Sequence, residues 1–269
     1  MIRRPIPFWL FVVLGVGFVI ALGFLYAYLS HRQYGIKDKQ RVVPSYVAIG
    51  EGFAKAIKAQ GTEENPKPSM LWTDLKATYG RLLMGLTVGT VLAIIIGVLM
   101  GAYRWVEGAL NPVVTFMSKV PQIAILPIFF ALVGTDEKMF TSMIAFGIFF
   151  TMAESIYLAA RKDVHDDLIN KAYTLGASDP EIIYEVIWKQ ILPRILDTIR
   201  THIGPAMGFL LAAEMLVGSQ GIGYRIRMEQ RVNDMRIIFS YVAILGIVGL
   251  MSDWGLRWVR RKLCPWFGE

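Results

Sequence analysis

The stretch DVHDDLINKAYTLGASDPEIIYEVIWKQILPRILDTIR, residues 163–200, is the longest segment with a helical pattern between two long apolar segments. Its first part has apolar residues at steps of four, four and three, which is typical of one face of a short helix. These residues are Val164, Leu168, Ala172 and Leu175. Gly176 is predicted to end this helix, because glycine adopts backbone conformations that are closed to residues with a β-carbon.

A second helix is predicted after the glycine. Ser178 and Glu181 have the spacing of a capping box, and Pro180 fits a first helical turn. The apolar positions again share one face; they are Ile182, Ile183, Val186, Ile187 and Ile191. Leu192-Pro193 is predicted to end this helix, since proline donates no amide hydrogen bond. The segment therefore predicts two amphipathic helices joined at a glycine and held at a membrane surface.

The composition is that of a membrane protein. Of the 269 residues, 55% are hydrophobic and 18% are charged, whereas soluble domains usually carry about a quarter charged residues. The net charge of +7 fits loops that face anionic lipid headgroups. A nucleic-acid-binding protein is not indicated, because no basic stripe interleaved with aromatic residues is present. Cys264 is the only cysteine, so no internal disulfide is possible.

Several apolar segments are long enough to cross a bilayer, for which a helix needs about 20 residues. The predicted spans are 8–29, 82–103, 108–135, 139–160, 201–224 and 237–256. We therefore predict an all-α polytopic membrane protein with about six transmembrane helices. The first segment follows Arg3-Arg4 but lacks a cleavage site of the signal-peptide type, so we expect it to be retained as a helix.

The connector 30–81 is predicted to hold a short surface helix after Ser45, a loop at 61–68 and a lead-in helix at 69–79. The span that follows carries small residues at multiples of four, a spacing that lets helices approach closely in lipid. They are Gly85, Gly89, Gly97 and Gly101. We expect this face to pack inside a helix bundle.

The span 108–135 contains one charge, Lys119, and three prolines. Pro121 and Pro127 each free backbone carbonyls, which must be satisfied within protein or by water, so they indicate a broken helix that lines a pathway. Lys119 either faces that pathway or extends to the membrane interface from a first turn after Pro112. Both interpretations remain open at this point.

Glu214 is the single acid of the span 201–224. An ionisable residue in a span is a functional-site hypothesis by default. The alternative is a structural acid, which either hydrogen-bonds the glycine turn at 218–223 or pairs with an arginine of the short loop 225–236.

Several motifs resemble those of binding-protein-dependent ABC importer permeases. Residues 170–178, NKAYTLGAS, are similar to the E-A-A-x-x-x-G loop of that family, although Asn170 and Lys171 replace the usual glutamate and first alanine. Three further segments resemble the L-P-S-P entry, the P-x-x-A-x-x-P segment and the A-E-M-L…G-L-G-Y segment of the nitrate/sulfonate/taurine branch. They are VPS at 43–45, KVPQIAILP at 119–127, and AEML with GIGY within 213–224.

The resemblance implies a type I ABC importer permease fold, in which 163–200 is a cytoplasmic coupling loop that docks on a separate ATPase. The implied coupling residues are Asn170, Lys171, Ala172, Leu175, Gly176, Ala177, Ser178 and Glu181. The pathway candidates are Lys119, Pro121, Pro127 and Glu214, and the candidates for docking a binding protein are Arg225, Arg227 and Arg231. Because substrates of this branch are often anions, we favour the structural interpretation of the acid.

The implied partners are a second copy of the permease, two ABC ATPase subunits and a soluble or lipid-anchored substrate-binding protein, within membrane lipid and without nucleic acid. ATP and Mg²⁺ are expected on the ATPase, because this sequence has no G-x-x-x-x-G-K-[ST] loop. We expect no cofactor, metal site or enzymatic activity in this chain. The implied solute is a small anion such as nitrate, a sulfonate, taurine or bicarbonate; a thiamine precursor or another small organic molecule is the alternative.

Six spans place both termini and the 163–200 loop on one side, which the resemblance identifies as the cytoplasmic side of a bacterial inner membrane. The positive-inside rule does not decide this orientation, because the short loop 225–236 is also basic. The expected domains are 1–81, an N-terminal transmembrane helix with an amphipathic extracytoplasmic segment, 82–262, a five-helix permease core with the coupling loop, and 263–269, a tail.

A secondary transporter or another membrane-embedded protein is the alternative class. A secondary transporter is expected to have internal repeats, paired broken helices and several buried ionisable groups. Here Lys119 and Glu214 are the candidates of that kind, and no repeat is visible. An intramembrane enzyme needs a nucleophile–base or metal constellation, whereas the histidines His31, His165 and His202 are scattered.

Overall fold

The computed structural model describes residues 7–33, 42–62 and 65–267, so the predicted Arg3-Arg4 flank lies outside the described residues. Within these described ranges, four helices are long and apolar enough to cross a membrane: α1 (Phe8–His31), α3 (Met70–Ala102), α6 (Glu137–Lys162) and α11 (Met235–Leu263). Two bent helix pairs raise the number to six if each pair forms one span. The predicted all-α membrane protein with about six spans is confirmed.

The first bent pair lies in the predicted broken span. Here α4 (Arg104–Ser118) is followed by a 3-10 turn that leads into α5 (Leu126–Val133), and the chain bends by 92°. Pro121 directly precedes the 3-10 turn, and Pro127 lies in the first turn of α5. Because proline is tolerated at a helix start, both prolines fit at this break. The prediction of a broken helix is confirmed.

The chain forms two compact units, Trp72–Arg225 with Leu245–Glu269, and Met1–Leu71 with Ile226–Ile244. In the smaller unit, α2 (Tyr46–Ile57) packs on α1 through the Tyr46 hydroxyl, which donates to the Gly23 carbonyl over 2.5 Å. Side chains in the middle of α1 remain exposed, as expected for a helix that faces lipid.

Within the larger unit, α3 lies unusually close to α6 at its glycines. A β-carbon on Gly89 would lie 2.6 Å from Ile148 Cγ1 and 2.8 Å from the Ala145 carbonyl oxygen. A β-carbon on Gly97 would lie 2.9 Å from the Ala153 carbonyl oxygen. Glycine is therefore what allows the two helices to approach this closely. The same helix face carries Gly85 against Ile144 and Gly101 against Ala160, so the predicted packing face is confirmed.

The segment 61–68 was predicted as a loop; residues 63–64 lie outside the described residues, and for the rest of the segment the prediction is wrong. The strands β1 (Ala59–Thr62) and β2 (Asn65–Ser69) pair antiparallel, with Thr62 opposite Asn65. Pro66 and Pro68 lie in β2 although they donate no ladder hydrogen bond. A two-stranded ribbon consists of edge strands alone, and proline is tolerated there when its nitrogen faces outwards.

The predicted helix end at Leu192-Pro193 is also wrong. A π-helical segment, Ile182–Trp188, leads into α9 (Lys189–Val217), and Pro193 is buried inside α9. A proline removes one backbone donor, and the π-helical turn before it already departs from the regular hydrogen-bond pattern. The helix therefore continues, as it does at prolines in many membrane helices.

The segment 225–236 was predicted as a short loop, whereas α10 (Ile222–Arg231) occupies most of it. Gly221, with φ of +114°, turns the chain between α9 and α10. The backbone amides of Ile222 and Gly223 then donate to the side chains of Thr78 and Glu214. Capped first amides favour the start of a helix, and this long-range cap was not visible in the sequence.

Replacing Gly89 by alanine tests the α3–α6 contact. The added methyl group meets Ile148 and the Ala145 carbonyl, so we expect Gly89→Ala to lower the free energy of unfolding by about 1–3 kcal/mol. A β-carbon on Gly80 of the same helix would meet no atom of another element within 4 Å, so Gly80→Ala should leave the free energy of unfolding unchanged or raise it by about 1 kcal/mol. Denaturant unfolding in detergent micelles measures both. Equal effects of the two substitutions would contradict the packing account.

Candidate functional site

The predicted elbow of the 163–200 loop is a helix C-terminus with a left-handed glycine. Gly176 has φ of +85° and follows α7 (Asp166–Thr174). Its amide donates to the Tyr173 carbonyl over 2.9 Å, and the Ala177 amide donates to the Ala172 carbonyl over 3.1 Å. These two bonds form a Schellman motif, which satisfies the last carbonyls of α7. The predicted helix break at the glycine is confirmed.

Beyond the elbow, side chains fix the direction of the second helix. The Ser178 amide donates to Glu181 Oε2 over 2.8 Å in the predicted capping box, which is confirmed. The Tyr173 hydroxyl donates to Asp179 Oδ1 over 2.8 Å, which joins the two sides of the elbow. This hydrogen bond to a carboxylate raises the pKa of the Tyr173 hydroxyl.

The tip of this loop exposes apolar side chains. Leu175 is 87% exposed, and Leu168 and Tyr173 are also exposed. Of the remaining predicted coupling residues, Ala172 and Ala177 are half-buried, and the exposed ones are Asn170, Lys171, Ser178 and Glu181. Apolar side chains exposed beside polar ones at the tip of a loop are compatible with a protein-binding surface.

The base of the loop is anchored firmly. Val164, Ile187 and Ile191 are buried in the main core. The Gln190 amide donates to the Asp163 carbonyl over 2.7 Å, and Arg194 Nε lies 2.9 Å from Asp163 Oδ2. The base of the loop is therefore held in place by the core, whereas its tip is exposed.

At the far end of α9, Glu214 is fully buried and pairs with Arg81 of α3. Arg81 Nη1 lies 2.8 Å from Glu214 Oε1, and the arginine side chain is 5% exposed. The Thr78 hydroxyl lies 3.0 Å from both carboxylate oxygens, and the Gly223 amide donates to Oε2 over 2.9 Å. Arg81 also pairs with Glu137 at the start of α6. The carboxylate thus has a cation and neutral donors around it.

Asp74 extends this network toward α10. Its Oδ1 accepts from the Gly221 amide over 3.2 Å, and its Oδ2 lies 2.9 Å from Arg225 Nε. Of the arginines predicted to dock a binding protein, Arg225 is therefore engaged by Asp74, Arg227 is half-buried and Arg231 is exposed. Carboxylates beside the first turn of α10 also favour its start, because a helix N-terminus carries partial positive charge.

Glu214 lies beside the glycine turn, as one of its two interpretations predicted, whereas Arg81, Thr78 and Asp74 were not predicted as its surroundings. These residues follow one another at steps of four and three, which puts them on one face of the lead-in helix. The polar face of this lead-in helix, which precedes an apolar span, is the sequence feature from which these residues could have been predicted.

Lys119 lies at the bend between α4 and the 3-10 turn, where it pairs with Glu154 of α6. The Lys119 ammonium lies 3.0 Å from Glu154 Oε2, and the side chains are 70% and 18% exposed. Glu154 was not predicted as a partner. Pro121 and Pro127 are exposed on the same bent segment. Within the described ranges, no group of three or more His, Cys, Asp or Glu residues is arranged to hold a metal ion.

The sequence of this chain is similar to those of known transport proteins. Residues 89–264 match the family described as "Binding-protein-dependent transport system inner membrane component". The chain is 31% identical to the taurine transport system permease protein of Escherichia coli K12, over 74% of this chain and 72% of that protein. It is also 31% identical to the putative aliphatic sulfonates transport permease protein of Bacillus subtilis 168, over 73% of this chain and 71% of the relative.

Among solved structures, the chain resembles inward-facing MetNI, a methionine ABC transporter. The match has a TM-score of 0.65 and 16% sequence identity, and it covers 72% of this chain and 96% of the other. At this identity the likeness concerns the fold, and it agrees with the predicted type I importer permease fold.

Removing Arg81 tests the buried network. Arg81→Met leaves Glu214 buried without its cation, so we expect the free energy of unfolding to fall by about 3–5 kcal/mol. Adding Glu214→Met should recover part of this loss, because the uncompensated charge is then removed. Arg194→Met breaks a half-exposed pair and should cost less than about 1 kcal/mol. Denaturant unfolding in micelles measures all three; equal losses for Arg81→Met and Arg194→Met would contradict the network.

Proposed function

We propose that residues 163–200 couple the transmembrane helices of this chain to a separate ATPase. The chain belongs to the family of binding-protein-dependent transport system inner membrane components, so it is the permease subunit of an ABC importer. The observation that carries the proposal is the apolar tip around Gly176, with Leu175 87% exposed between two candidate spans. An apolar tip in water is unfavourable unless a partner covers it.

The anchoring of the loop supports a mechanical role. The tip is joined through the capped elbow to the π-helical segment and then to α9, without an intervening flexible connection. A force on the tip is therefore transmitted along α9 toward Glu214 and the glycine turn. In this proposal, ATP-driven closure of the ATPases displaces the loop, and the spans alternate access to a central pathway. Lys119, Pro121 and Pro127 are the proposed pathway residues, and Glu214 acts structurally.

The proposed assembly contains two copies of this permease, two ATPase subunits that bind ATP and Mg²⁺, and a soluble or lipid-anchored binding protein. The loop and both termini face the cytoplasm of a bacterial cell, and α10 lies on the opposite side. The proposed docking arginines then face the binding protein from that side; Arg231 is exposed there, and charges of this kind steer association with acidic groups of a partner. Residues 1–81, 82–262 and 263–269 form the proposed N-terminal segment, permease core and tail.

The proposed solute is a small anion or sulfonate. The taurine and aliphatic sulfonate permeases among the relatives support this class. Nitrate, bicarbonate, a thiamine precursor and another small organic molecule are further candidates. Identifying the ligand bound to the cognate binding protein would distinguish them.

Substitutions at Gly176 test the coupling role. Its φ of +85° is strained for residues with a β-carbon, so Gly176→Val should misdirect the second helix and abolish solute-stimulated ATP hydrolysis by the assembled importer. Asparagine tolerates the left-handed region better than other residues, so Gly176→Asn is the matched control and should keep most of the stimulation.

The readouts are co-purification of the ATPase and its solute-stimulated hydrolysis in proteoliposomes. Normal stimulation in the Gly176→Val complex would show that the elbow is not the coupling element. If both variants lose the stimulation, the defect of Gly176→Val does not come from the left-handed backbone conformation at position 176.

A further inference from the structure

A groove of about 460 Å³ separates α9 from α11. Four glycines line it, Gly204 and Gly208 on α9 and Gly246 and Gly249 on α11. A β-carbon on any of these four would meet no atom of another described element within 4 Å. The glycines of α3 are filled by side chains of α6, whereas these glycines face open space. The groove is therefore shaped to take something that this chain does not supply.

The depth of the groove matches one leaflet of a bilayer. Along α9 it extends from Arg200 to Leu211, which is about 16 Å at a rise of about 1.5 Å per residue. The hydrocarbon core of a bilayer is about 30 Å thick, so this length is about half of it. A transmembrane helix of a partner needs the whole thickness, whereas the acyl chain of a lipid occupies one leaflet. The dimensions favour an acyl chain.

Charged side chains close one end of the groove. Arg200 Nε lies 3.0 Å from Asp253 Oδ1, and Arg200 Nη1 lies 3.5 Å from Asp197 Oδ1. Arg260 Nη1 lies 2.9 Å from Asp197 Oδ2, and Arg257 pairs with Asp253. Three arginines meet two aspartates here, so the cluster carries one positive charge in excess. Guanidinium groups have five N–H donors each, and their geometry suits phosphate oxygens.

Aromatic residues place the same end of α11 at the level of the lipid headgroups. Trp254 and Trp258 are exposed, and the Lys262 ammonium lies 4.1 Å from the centre of the Trp258 ring. Tryptophan is enriched at the membrane–water interface, and basic residues beside a span attract anionic lipid. The arginine cluster therefore lies where a phosphate is found, and the groove runs from it into the hydrocarbon region.

From these observations we propose that the groove binds one anionic phospholipid from the leaflet on the side of the 163–200 loop. Its phosphate binds Arg200 and Arg257, and one acyl chain lies along the glycines of α9 and α11. The excess positive charge selects a lipid with a net negative headgroup over a zwitterionic one. This site is independent of the proposed coupling role, because it needs neither an ATPase nor a binding protein.

Native mass spectrometry of the purified full chain in detergent micelles measures the binding of single lipids. The probes are phosphatidylglycerol and phosphatidylcholine with the same acyl chains. We expect wild type to retain one phosphatidylglycerol at least about tenfold more tightly than phosphatidylcholine, which corresponds to about 1.4 kcal/mol. Inorganic phosphate, which has the anionic group without an acyl chain, should not displace the lipid.

Two substitutions separate the headgroup from the acyl chain. Arg200→Gln should reduce the affinity for phosphatidylglycerol to that for phosphatidylcholine. Gly208→Leu fills the groove without a clash and should weaken both lipids by at least about tenfold. Leucine also favours a helix over glycine, so folding is not the expected defect.

Matched controls lie on the same helices outside the groove. A β-carbon on Gly255 of α11 would likewise meet no atom of another described element within 4 Å, so Gly255→Leu should keep the binding of both lipids. Arg194 of α9 pairs with Asp163, so Arg194→Gln should keep the preference for phosphatidylglycerol.

Equal binding of the two lipids by wild type would overturn the proposal, as would equal losses in Gly208→Leu and Gly255→Leu. Displacement of phosphatidylglycerol by inorganic phosphate would identify a free-anion site instead. A single cysteine at Gly249, with Cys264 replaced by serine, tests for a second copy of this chain. Cross-linking of two copies through position 249 would place the second copy in the groove and contradict the lipid site. The comparison of lipids on wild type decides even if a variant does not fold.

Discussion

The buried contact between Arg81 and Glu214 is the interaction on which the larger unit depends. Two charges removed from water are tolerated only when their geometry is good and their remaining hydrogen bonds are made. Here Arg81, the Thr78 hydroxyl and the Gly223 amide all donate hydrogen bonds to the Glu214 carboxylate. The same contact joins α3 to α9, and Arg81 reaches the start of α6 through Glu137. The turn after α9 and the start of α10 are therefore fixed by a residue on a different helix.

The buried pair of Arg81 and Glu214 explains why one end of α9 is fixed while the loop before its other end is exposed. Glycines hold α3 close to α6, and the saturated ion pair fixes one end of α9. The other end of α9 continues into the π-helical segment and the capped elbow, whose tip is apolar and exposed. In the coupling proposal, a displacement of the exposed tip is passed along α9 to the end that the ion pair fixes. The ion pair between Lys119 and Glu154, in contrast, leaves the lysine 70% exposed.

Features that depend on near neighbours in the sequence were predictable. The stripe around Leu168, the glycine elbow and the close-packing glycines of α3 follow from helical periodicity, backbone freedom and side-chain size. Features that depend on distant residues were not. The Arg81 partner of Glu214 is 133 positions away in the sequence, and the first amides of α10 are capped by side chains of other helices. The π-helical turn that lets the chain continue through Pro193 likewise has no local signature.

The sidedness of the membrane decides the coupling account most directly, because the loop must face the compartment that holds the ATPase. Ser178 and Gln230 are exposed, and the buried Cys264 is replaced by serine so that single cysteines at these two positions are the only thiols. Intact cells are treated with an impermeant thiol reagent, and permeabilised cells show full reactivity. The account predicts labelling at position 230 and protection at position 178. Labelling at 178 with protection at 230 would place the loop outside and contradict the account.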